Sequence, residues 1–286
     1  MNRPNNFNVS ASSSLVFPMI LLFVGLIGIY YLYHYLFDSK TDTSYPLLKG
    51  KQTAKVDPSN PITVTSNQLP RLSDGGEYTV SMWFYINDWS YHSGLNKSIL
   101  TVGGPAFDTV RIYLGGVQPK LYVRFHTRET SSPALGAGVP VSGSITQTPT
   151  QTESLDKGTR DVLFTTPQTN SGLLEGSGVC DLPSIELQRW VNLVVAVNGR
   201  TVDVYVDGKL SRSCVLPALA KVDPAGYSAY LLSYGGFGGN IANVTMYDSA
   251  LNPERVYKNY MMGPEPSPTF MDWLSSFFSP TPLPSK

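Results

Sequence analysis

The chain has little cysteine, little histidine and few charged side chains. Its two cysteines are too few for a scaffold that replaces a hydrophobic core with disulfide bridges. Three histidines, one of them inside a long apolar run, cannot form a zinc cluster with those cysteines at ligand spacing. Charged residues make up 15% of the chain, and their net charge of zero provides no field that attracts nucleic acid. We therefore expect neither a zinc module nor a nucleic-acid partner.

Glycine and proline are plentiful, with 25 and 22 residues, which is typical of a turn-rich all-β protein. The clearest strand pattern is WVNLVVAVNGRTVDVYVDGKLSRSC, residues 190–214. Its apolar residues alternate with a period of two, and the alternation is interrupted by Asn198-Gly199 and Asp207-Gly208. Both dipeptides favour tight hairpin turns, so this stretch predicts three consecutive antiparallel strands.

The same alternation predicts strands on both sides of this stretch. They are expected at residues 77–87, 97–102, 108–114, 120–127, 227–234 and 240–247, and residues 161–165 are a candidate for one more. The glycine run at 235–239 is interpreted as a turn. Asn252-Pro253 predicts the start of a short helix that ends near residue 262. Residues 128–160, with almost no large apolar side chains, are expected to form a mobile surface insertion.

Three of these stretches together resemble a laminin-G-like domain of the concanavalin A-like lectin/glucanase superfamily. They are the central run at 190–214, the opening strand EYTVSMWFYI and the later segment GGFGGNIANV. The resemblance covers roughly residues 72–262 and implies an antiparallel β-sandwich of the jelly-roll type. This fold hosts lectins, hydrolases and structural modules, so an activity has to be argued from particular residues.

The resemblance also implies that one calcium ion could bind through loop carboxylates and carbonyls. Asp88, Asp108 and Asp181 are the candidate ligands, although no spacing in the sequence selects them from the other acids. Apart from this calcium, we expect no cofactor.

Glycan binding would require aromatic rings with exposed faces beside polar groups. Trp89 and Tyr91, just beyond the opening strand, are the candidates for stacking on a sugar. Trp83 and Tyr85 lie within that strand and are expected to pack in the core or between the sheets.

Catalysis is not expected. A glucanase of this fold needs two positioned carboxylates, and the E-x-D-x-E run that resembling hydrolases carry is absent. The nearest pair is Asp203 and Asp207, but Asp207 is the first residue of an Asp-Gly turn, which is sufficient reason for its presence.

Residues 15–37 form a long apolar run without a formal charge, preceded by a polar N-terminus at 1–14. Bilayer hydrocarbon takes about 20 apolar helical residues, so we predict one transmembrane helix. A cleaved signal peptide is the alternative, but bulky residues stand where the small residues of a cleavage site would be. Residues 38–71, rich in Ser, Thr, Lys and Pro, are predicted to be a flexible tether.

Lysines after the apolar run outnumber Arg3 before it, which favours the cytosolic side for the large domain. Glycosylation sequons at Asn8, Asn96 and Asn243 would matter only on the lumenal side. The combination of one membrane helix with a laminin-G-like domain is similar to virion membrane proteins of large double-stranded DNA viruses. That resemblance implies the internal membrane of a virion, with the sandwich on the side of the cytosol and capsid.

Cys180 and Cys214 lie on either side of the central strands. They are either small buried thiols or a disulfide pair, since sequence separation alone cannot establish the distance that a bridge needs. The viral resemblance implies thiol oxidases that could form such a bridge.

The tail, residues 263–286, contains one more apolar segment. Five of its side chains share one face of a predicted helix: Phe270, Trp273, Leu274, Phe277 and Phe278. This face is expected either to fold back on the sandwich or to dock on a neighbouring protein or a membrane surface.

The sequence therefore predicts a non-enzymatic, membrane-anchored structural or interaction protein. Its first expected role is that of a minor virion component linking the internal membrane to capsid or neighbouring membrane proteins. The alternative is a lectin module that displays a glycan-binding site on a membrane. A glycoside hydrolase is the third hypothesis.

Overall fold

The structure, a computed structural model, describes residues 13–37, 43–127, 155–169 and 180–265. The chain forms two compact units, Met1–Asp42 and Thr43–Lys286. The helices are α1 (Ser13–Phe37), α2 (Lys157–Thr165) and α3 (Pro253–Met261). The strands are β1 (Ser44–Lys55), β2 (Ile62–Val64), β3 (Tyr78–Asp88), β4 (Lys97–Gly103), β5 (Asp108–Leu114), β6 (Leu121–Phe125), β7 (Trp190–Asn198), β8 (Thr201–Val206), β9 (Lys209–Val215), β10 (Ser228–Leu231) and β11 (Gly236–Tyr247).

The strands form two antiparallel sheets. The six-stranded sheet has the order β1-β11-β3-β7-β8-β9, and the five-stranded sheet has the order β2-β10-β4-β5-β6. The predicted all-β sandwich is therefore confirmed. The two predicted hairpins are also confirmed, because β7 pairs with β8 around Asn198 and β8 pairs with β9 around Asp207-Gly208. Both residues of the second turn have positive φ, 52° and 73°.

The core lies between the sheets and follows the period of two. Along β3, Val80, Met82, Phe84 and Ile86 are buried in the main cluster, together with side chains such as Ile112 from the opposite sheet. Burial of each side chain of this size stabilises the fold by about 1.5–3 kcal/mol.

The predicted flexible tether is wrong over residues 44–55 and 62–64. Residues 44–55 form β1 at the edge of the six-stranded sheet, where Lys51 pairs with Ala242 of β11. Residues 62–64 form β2 at the edge of the other sheet, where Thr63 pairs with Tyr230. Edge strands are held by backbone hydrogen bonds and expose many side chains, so their sequences need not alternate clearly.

Residues 161–165 belong to helix α2, so the predicted strand there is wrong. Phe164 is buried against Tyr113 and Tyr122 on the outer face of the five-stranded sheet, and this contact holds the helix in place. The helix begins at Lys157, inside the segment expected to be a mobile insertion. The remainder of that insertion, residues 128–154, lies outside the described residues.

The glycine run does not form the predicted turn beyond residue 235, because Gly236–Tyr247 is strand β11. A Cβ atom at Gly239 would lie 1.9 Å from the carbonyl oxygen of Tyr85, and one at Gly238 would lie 2.1 Å from that of Asp88. The glycines therefore allow β11 to approach β3 closely.

Helix α1 is present over Ser13–Phe37 and contains Pro18. Its side chains are described from 17 to 32, and those of its large apolar residues, including Phe17, Leu22 and Tyr31, are exposed. No helix within the described part of the chain has the length and apolar character required to cross a membrane, so the predicted transmembrane span is not found.

In two of the three sequons, the asparagine side chain makes hydrogen bonds within the fold. Asn96 is only 7% exposed, and its Nδ2 donates to the carbonyl oxygen of Leu163. Asn243 accepts from the backbone N–H of Gly50 and donates through Nδ2 to the carbonyl oxygen of Pro264. Both amides that a glycan would modify are thus used within the fold. Asn8 lies outside the described residues, as do the tail residues Phe270, Trp273, Leu274, Phe277 and Phe278.

Candidate functional site

The outer face of the six-stranded sheet carries aromatic side chains. Because Met82 and Phe84 of β3 point into the core, Trp83 and Tyr85 point outward. Trp83 is buried as expected, although beneath α3 rather than between the sheets, and only the expected burial of Tyr85 is wrong. Trp83 is covered by Tyr260 of α3, which stacks on it with ring centroids 5.6 Å apart. Tyr85, farther from the helix, stays half-buried.

Tyr85 belongs to a row that crosses four strands. It pairs with Trp190 of β7 on one side and with Asn240 of β11 on the other, and Asn240 pairs with Thr53 of β1. The rings of Tyr85 and Trp190 have centroids 5.7 Å apart and are tilted by 56°. We call Thr53, Asn240, Tyr85 and Trp190 the aromatic row. With neighbouring strands about 4.7–4.9 Å apart, the row is about 14 Å long.

Charged side chains surround the Trp190 end of the row. The Lys51 Nζ atom lies 5.9 Å from the centre of the Trp190 ring and 3.1 Å from a carboxylate oxygen of Glu265. Arg189, the residue before Trp190, pairs with Glu186 and with Asp207. Half-exposed rings beside hydroxyl, amide and charged groups suit ligands that have both apolar and hydroxylated faces.

Trp89 and Tyr91, predicted to stack on a sugar, connect the loop after β3 to neighbouring segments. Trp89 donates through Nε1 to the carbonyl oxygen of Val117, and the Lys97 Nζ atom lies 4.3 Å from its ring centre. Tyr91 stacks on the neighbouring His92 ring with centroids 4.1 Å apart. The Tyr91 hydroxyl also donates to the carbonyl oxygen of Gly235. These contacts fix the loop after β3, and both side chains remain half-buried, so their role in sugar stacking stays a prediction.

Lys97 is the buried cation of this loop. It is 1% exposed, and its ammonium donates to the carbonyl oxygens of His92 and Leu95, each at 3.3 Å. Burial lowers the pKa of Lys97 to about 8, against the opposing effect of the Asp88 carboxylate.

The three calcium candidates have other partners. Asp108 is fully buried and accepts from the guanidinium groups of Arg111 and Arg160. Asp181 pairs with a guanidinium on β6, and Asp88 pairs with an exposed lysine of β1. Across residues 43–127, 155–169 and 180–265, no three His, Cys, Asp or Glu side chains cluster as a metal site would need. Each of the three carboxylates thus has at least one cationic partner within the fold.

The Asp88 carboxylate also organises the start of the loop after β3. It accepts from the backbone N–H and the hydroxyl of Ser90 at 3.1 and 2.6 Å. The pKa of Asp88 is lowered, first by the Ser90 hydroxyl and then by Lys55. Its chemical role is thus that of a turn-stabilising acceptor.

Cys180 and Cys214 form a disulfide with Cα atoms 5.8 Å apart. Cys214 lies on β9, the edge strand of the six-stranded sheet, and Cys180 begins a described segment that leads to β7. The bridge therefore ties this segment to the sheet edge.

An open polar hollow of about 340 Å³ lies at one end of the five-stranded sheet. It is lined by Ser66, Gly103, Gly104, Pro105, Lys157, Ala225, Gly226, Tyr227, Ser228 and Tyr230. The Asp223 carboxylate supports its rim by accepting from the backbone N–H groups of Ala106 and Ala225. Burial opposes ionisation of Asp223, but these backbone donors outweigh it and lower the pKa. Among the lining residues there is no carboxylate pair for hydrolysis.

Sequence reasoning does not find the aromatic row, because it interprets Trp190 only as the start of a strand and Tyr85 as a core residue. One signal is available, since Trp83 and Tyr85 alternate with the most apolar residues of β3. The choice between an exposed and a covered outer face depends on α3, which contacts Trp83 and leaves Tyr85 half-buried.

Comparison with known proteins gives one family match. Residues 150–257 match the model of the concanavalin A-like lectin/glucanases superfamily. No curated protein sequence matches the chain. The binding domain of botulinum neurotoxin serotype D is structurally similar, with a TM-score of 0.45 and 13% identity over 74% of this chain and 41% of that one.

A Trypanosoma rangeli sialidase, solved in complex with sialic acid, is also similar, with a TM-score of 0.38 and 12% identity. That match covers 66% of this chain and 23% of the sialidase. The chain thus spans less than half the length of either protein. Residues 150–257 are thus similar to the concanavalin A-like superfamily, and the two antiparallel sheets show an all-β sandwich.

Proposed function

We propose that the chain is a non-enzymatic binding protein that takes an extended oligosaccharide on its aromatic row. The observation that carries the proposal is the partial exposure of two adjoining aromatic rings, Tyr85 and Trp190, on a rigid sheet. Asn240 and Thr53 continue the row with an amide and a hydroxyl that can hydrogen-bond to sugar hydroxyls. A row of about 14 Å fits several linked sugar rings better than a single one.

We propose binding without hydrolysis because of the carboxylates that lie near the row. Two carboxylates with described positions lie near the row. Asp207 accepts from the backbone N–H of Asn192 at 2.9 Å and pairs with Arg189, and Glu265 pairs with Lys51. A general acid in glycoside hydrolysis needs a raised pKa and a second positioned carboxyl group. Asp207 is held by a guanidinium in a turn and Glu265 is paired with a lysine, so their cationic partners account for both carboxylates without catalysis.

Helix α1 would hold the domain at a lipid surface. Its apolar side chains over 17–32 are exposed, and no formally charged residue occurs in that stretch. Exposed apolar surface of this extent usually has a lipid or protein partner. We propose a lipid bilayer, and flotation of the full chain with liposomes tests this. Sedimentation of the chain away from the liposomes would contradict it.

The experiment for the row is calorimetric titration of the full chain, in detergent micelles, with a panel of neutral and acidic oligosaccharides. We expect at least one to bind, and the Trp190→Ala variant to weaken that binding about tenfold or more, because a stacking surface is lost. Tyr257→Ala is the matched control, since Tyr257 is an exposed aromatic residue of α3 outside the row.

Equal weakening by both variants, or the absence of binding to any oligosaccharide, would overturn the proposal. If Trp190→Ala reduces folding, Asn240→Ala serves as a second variant of the row. This half-exposed amide has no aromatic packing role, and its loss should also weaken binding.

The second candidate function is structural: a link between the internal membrane of a virion and its capsid or neighbouring membrane proteins. The observation that favours it is a second exposed apolar surface, formed where α3 and the edge strand β9 meet. Leu210, Tyr257 and Met261 are each at least half exposed there. Retention of a single capsid or membrane protein by the full chain, lost in Leu210→Asp but not in Trp190→Ala, would favour this function.

A further inference from the structure

We propose that the tail, residues 266–286, docks on the aromatic row of its own chain. The first support is the place where the described chain ends. Glu265 is ion-paired with Lys51, and Lys51 lies beside the ring of Trp190. The preceding residue, Pro264, accepts a hydrogen bond from Asn243 of β11 at 2.8 Å. The tail therefore starts next to the row.

The second support is reach. Phe270 follows Glu265 by five positions, and an extended chain spans at most about 3.3–3.6 Å per residue, or roughly 17 Å in total. That distance exceeds the length of the row, about 14 Å across four strands. Because Glu265 pairs with Lys51, whose Nζ atom lies 5.9 Å from the Trp190 ring centre, the first aromatic residue of the tail has the Trp190 end of the row within reach.

The third support is complementarity between the tail sequence and the row. The apolar residues of the tail recur at helical spacing: Phe270, Trp273, Leu274, Phe277 and Phe278. A helix over these positions would be about 13 Å long at about 1.5 Å per residue, close to the length of the row. Asp272 and Lys286 are the only charged residues in the tail, so burial of one face desolvates little charge.

A docked tail would regulate the proposed oligosaccharide binding. The docking does not depend on the proposed function, but this regulatory consequence rests on it. Tail and oligosaccharide would need the same rings of Tyr85 and Trp190 and would therefore exclude each other. A chain that ends at Glu265 should then bind oligosaccharide more tightly than the full chain does.

Photo-crosslinking in the full chain tests the docking directly and needs no glycan. A benzophenone amino acid is placed at Phe277, on the apolar face, or at Ser279, on the opposite face, as the control. We expect Phe277 crosslinks within the same chain to β1, β3, β7 or β11, and few from Ser279. Thr53→Glu, which places a charge in the row, should lower the yield about tenfold or more.

Crosslinks from Phe277 to lipid, to detergent, to a second copy of the chain or to another surface would overturn the docking. Absence of crosslinks to the row would do the same. The truncated chain separates the two proposals: if the row crosslinks form but truncation at Glu265 leaves oligosaccharide affinity unchanged, the glycan proposal fails and the docking stands.

Discussion

The outer faces of the two sheets differ in what their side chains contact. On the five-stranded sheet, Arg111 is fully buried and pairs with Asp108, which also pairs with Arg160 of helix α2. On the six-stranded sheet, Tyr85 and Trp190 stay half-exposed beside one another. One face therefore places charged groups under a covering helix, and the other leaves aromatic rings accessible.

This difference separates residues needed for folding from residues available to a ligand. A buried charge is costly unless it is paired, so Asp108 is explained by its two arginines. A half-buried aromatic ring on a rigid sheet keeps part of its surface free for a ligand, which is the basis of the proposed site. Trp89 and Tyr91 are equally half-buried, but Tyr85 and Trp190 adjoin one another in a row across four strands.

The largest effect is expected from Asp108→Asn. It would leave two guanidinium groups near an uncharged amide in a buried place, at a cost of about 3–5 kcal/mol in the free energy of unfolding. Urea denaturation of the full chain measures this. Asp203→Asn, at a half-exposed carboxylate of β8, should change stability by no more than about 0.5 kcal/mol. Comparable losses in both variants would contradict the assignment of Asp108 to folding.

Gly239→Ala tests how closely β11 must approach the strand that carries Tyr85. A Cβ atom there would meet the Tyr85 carbonyl oxygen, so we expect a loss of about 1–3 kcal/mol and weaker oligosaccharide binding as Tyr85 and Asn240 shift. Gly158→Ala is the matched control, because a Cβ atom in this first turn of α2 meets nothing within 4 Å. If Gly239→Ala is as stable as the control, close approach of the strands is not required.

Lys97 predicts a dependence of stability on pH in the loop after β3. Its pKa in the folded protein, about 8, lies below the ordinary value of 10.5. Between these values the unfolded chain binds more protons, so stability should rise with pH, on the order of 1 kcal/mol. Lys97→Met should lack this rise in urea titrations between about pH 7.5 and 9.5, whereas the exposed Lys209→Met should retain it. An identical rise in all three proteins would exclude Lys97 as its source.

The smallest effect on stability is expected from Thr53→Glu in the aromatic row. Thr53 is an exposed residue of an edge strand, so the free energy of unfolding should change by about 0.5 kcal/mol or less. Oligosaccharide affinity should nevertheless fall, because the carboxylate lies at the end of the ligand path. If Thr53→Glu binds oligosaccharide with full affinity, Thr53 is not part of the binding site. If the variant unfolds, this face of the sheet is needed for folding.

Local sequence rules predicted much of the sandwich and little of the candidate site. Alternation located β3, β5 and β7 to within a residue or two, and Asn252 caps α3 as expected by accepting from the backbone N–H of Arg255. The rules failed at β1, because that strand is defined by pairing with a strand far along the chain. They also failed at α2, because its place depends on the contacts of Phe164 with aromatic rings of the five-stranded sheet.

The sequence by itself determined the two-sheet antiparallel sandwich, because side-chain alternation and turn dipeptides act over a few neighbouring residues. Only the tertiary structure decided which outward side chains are covered. Trp83 and Tyr85 are two positions apart on the same face of β3, yet Tyr260 of a helix far along the chain stacks on Trp83 and leaves Tyr85 half-buried. Exposure of that kind depends on packing between distant segments, and no local pattern encodes it.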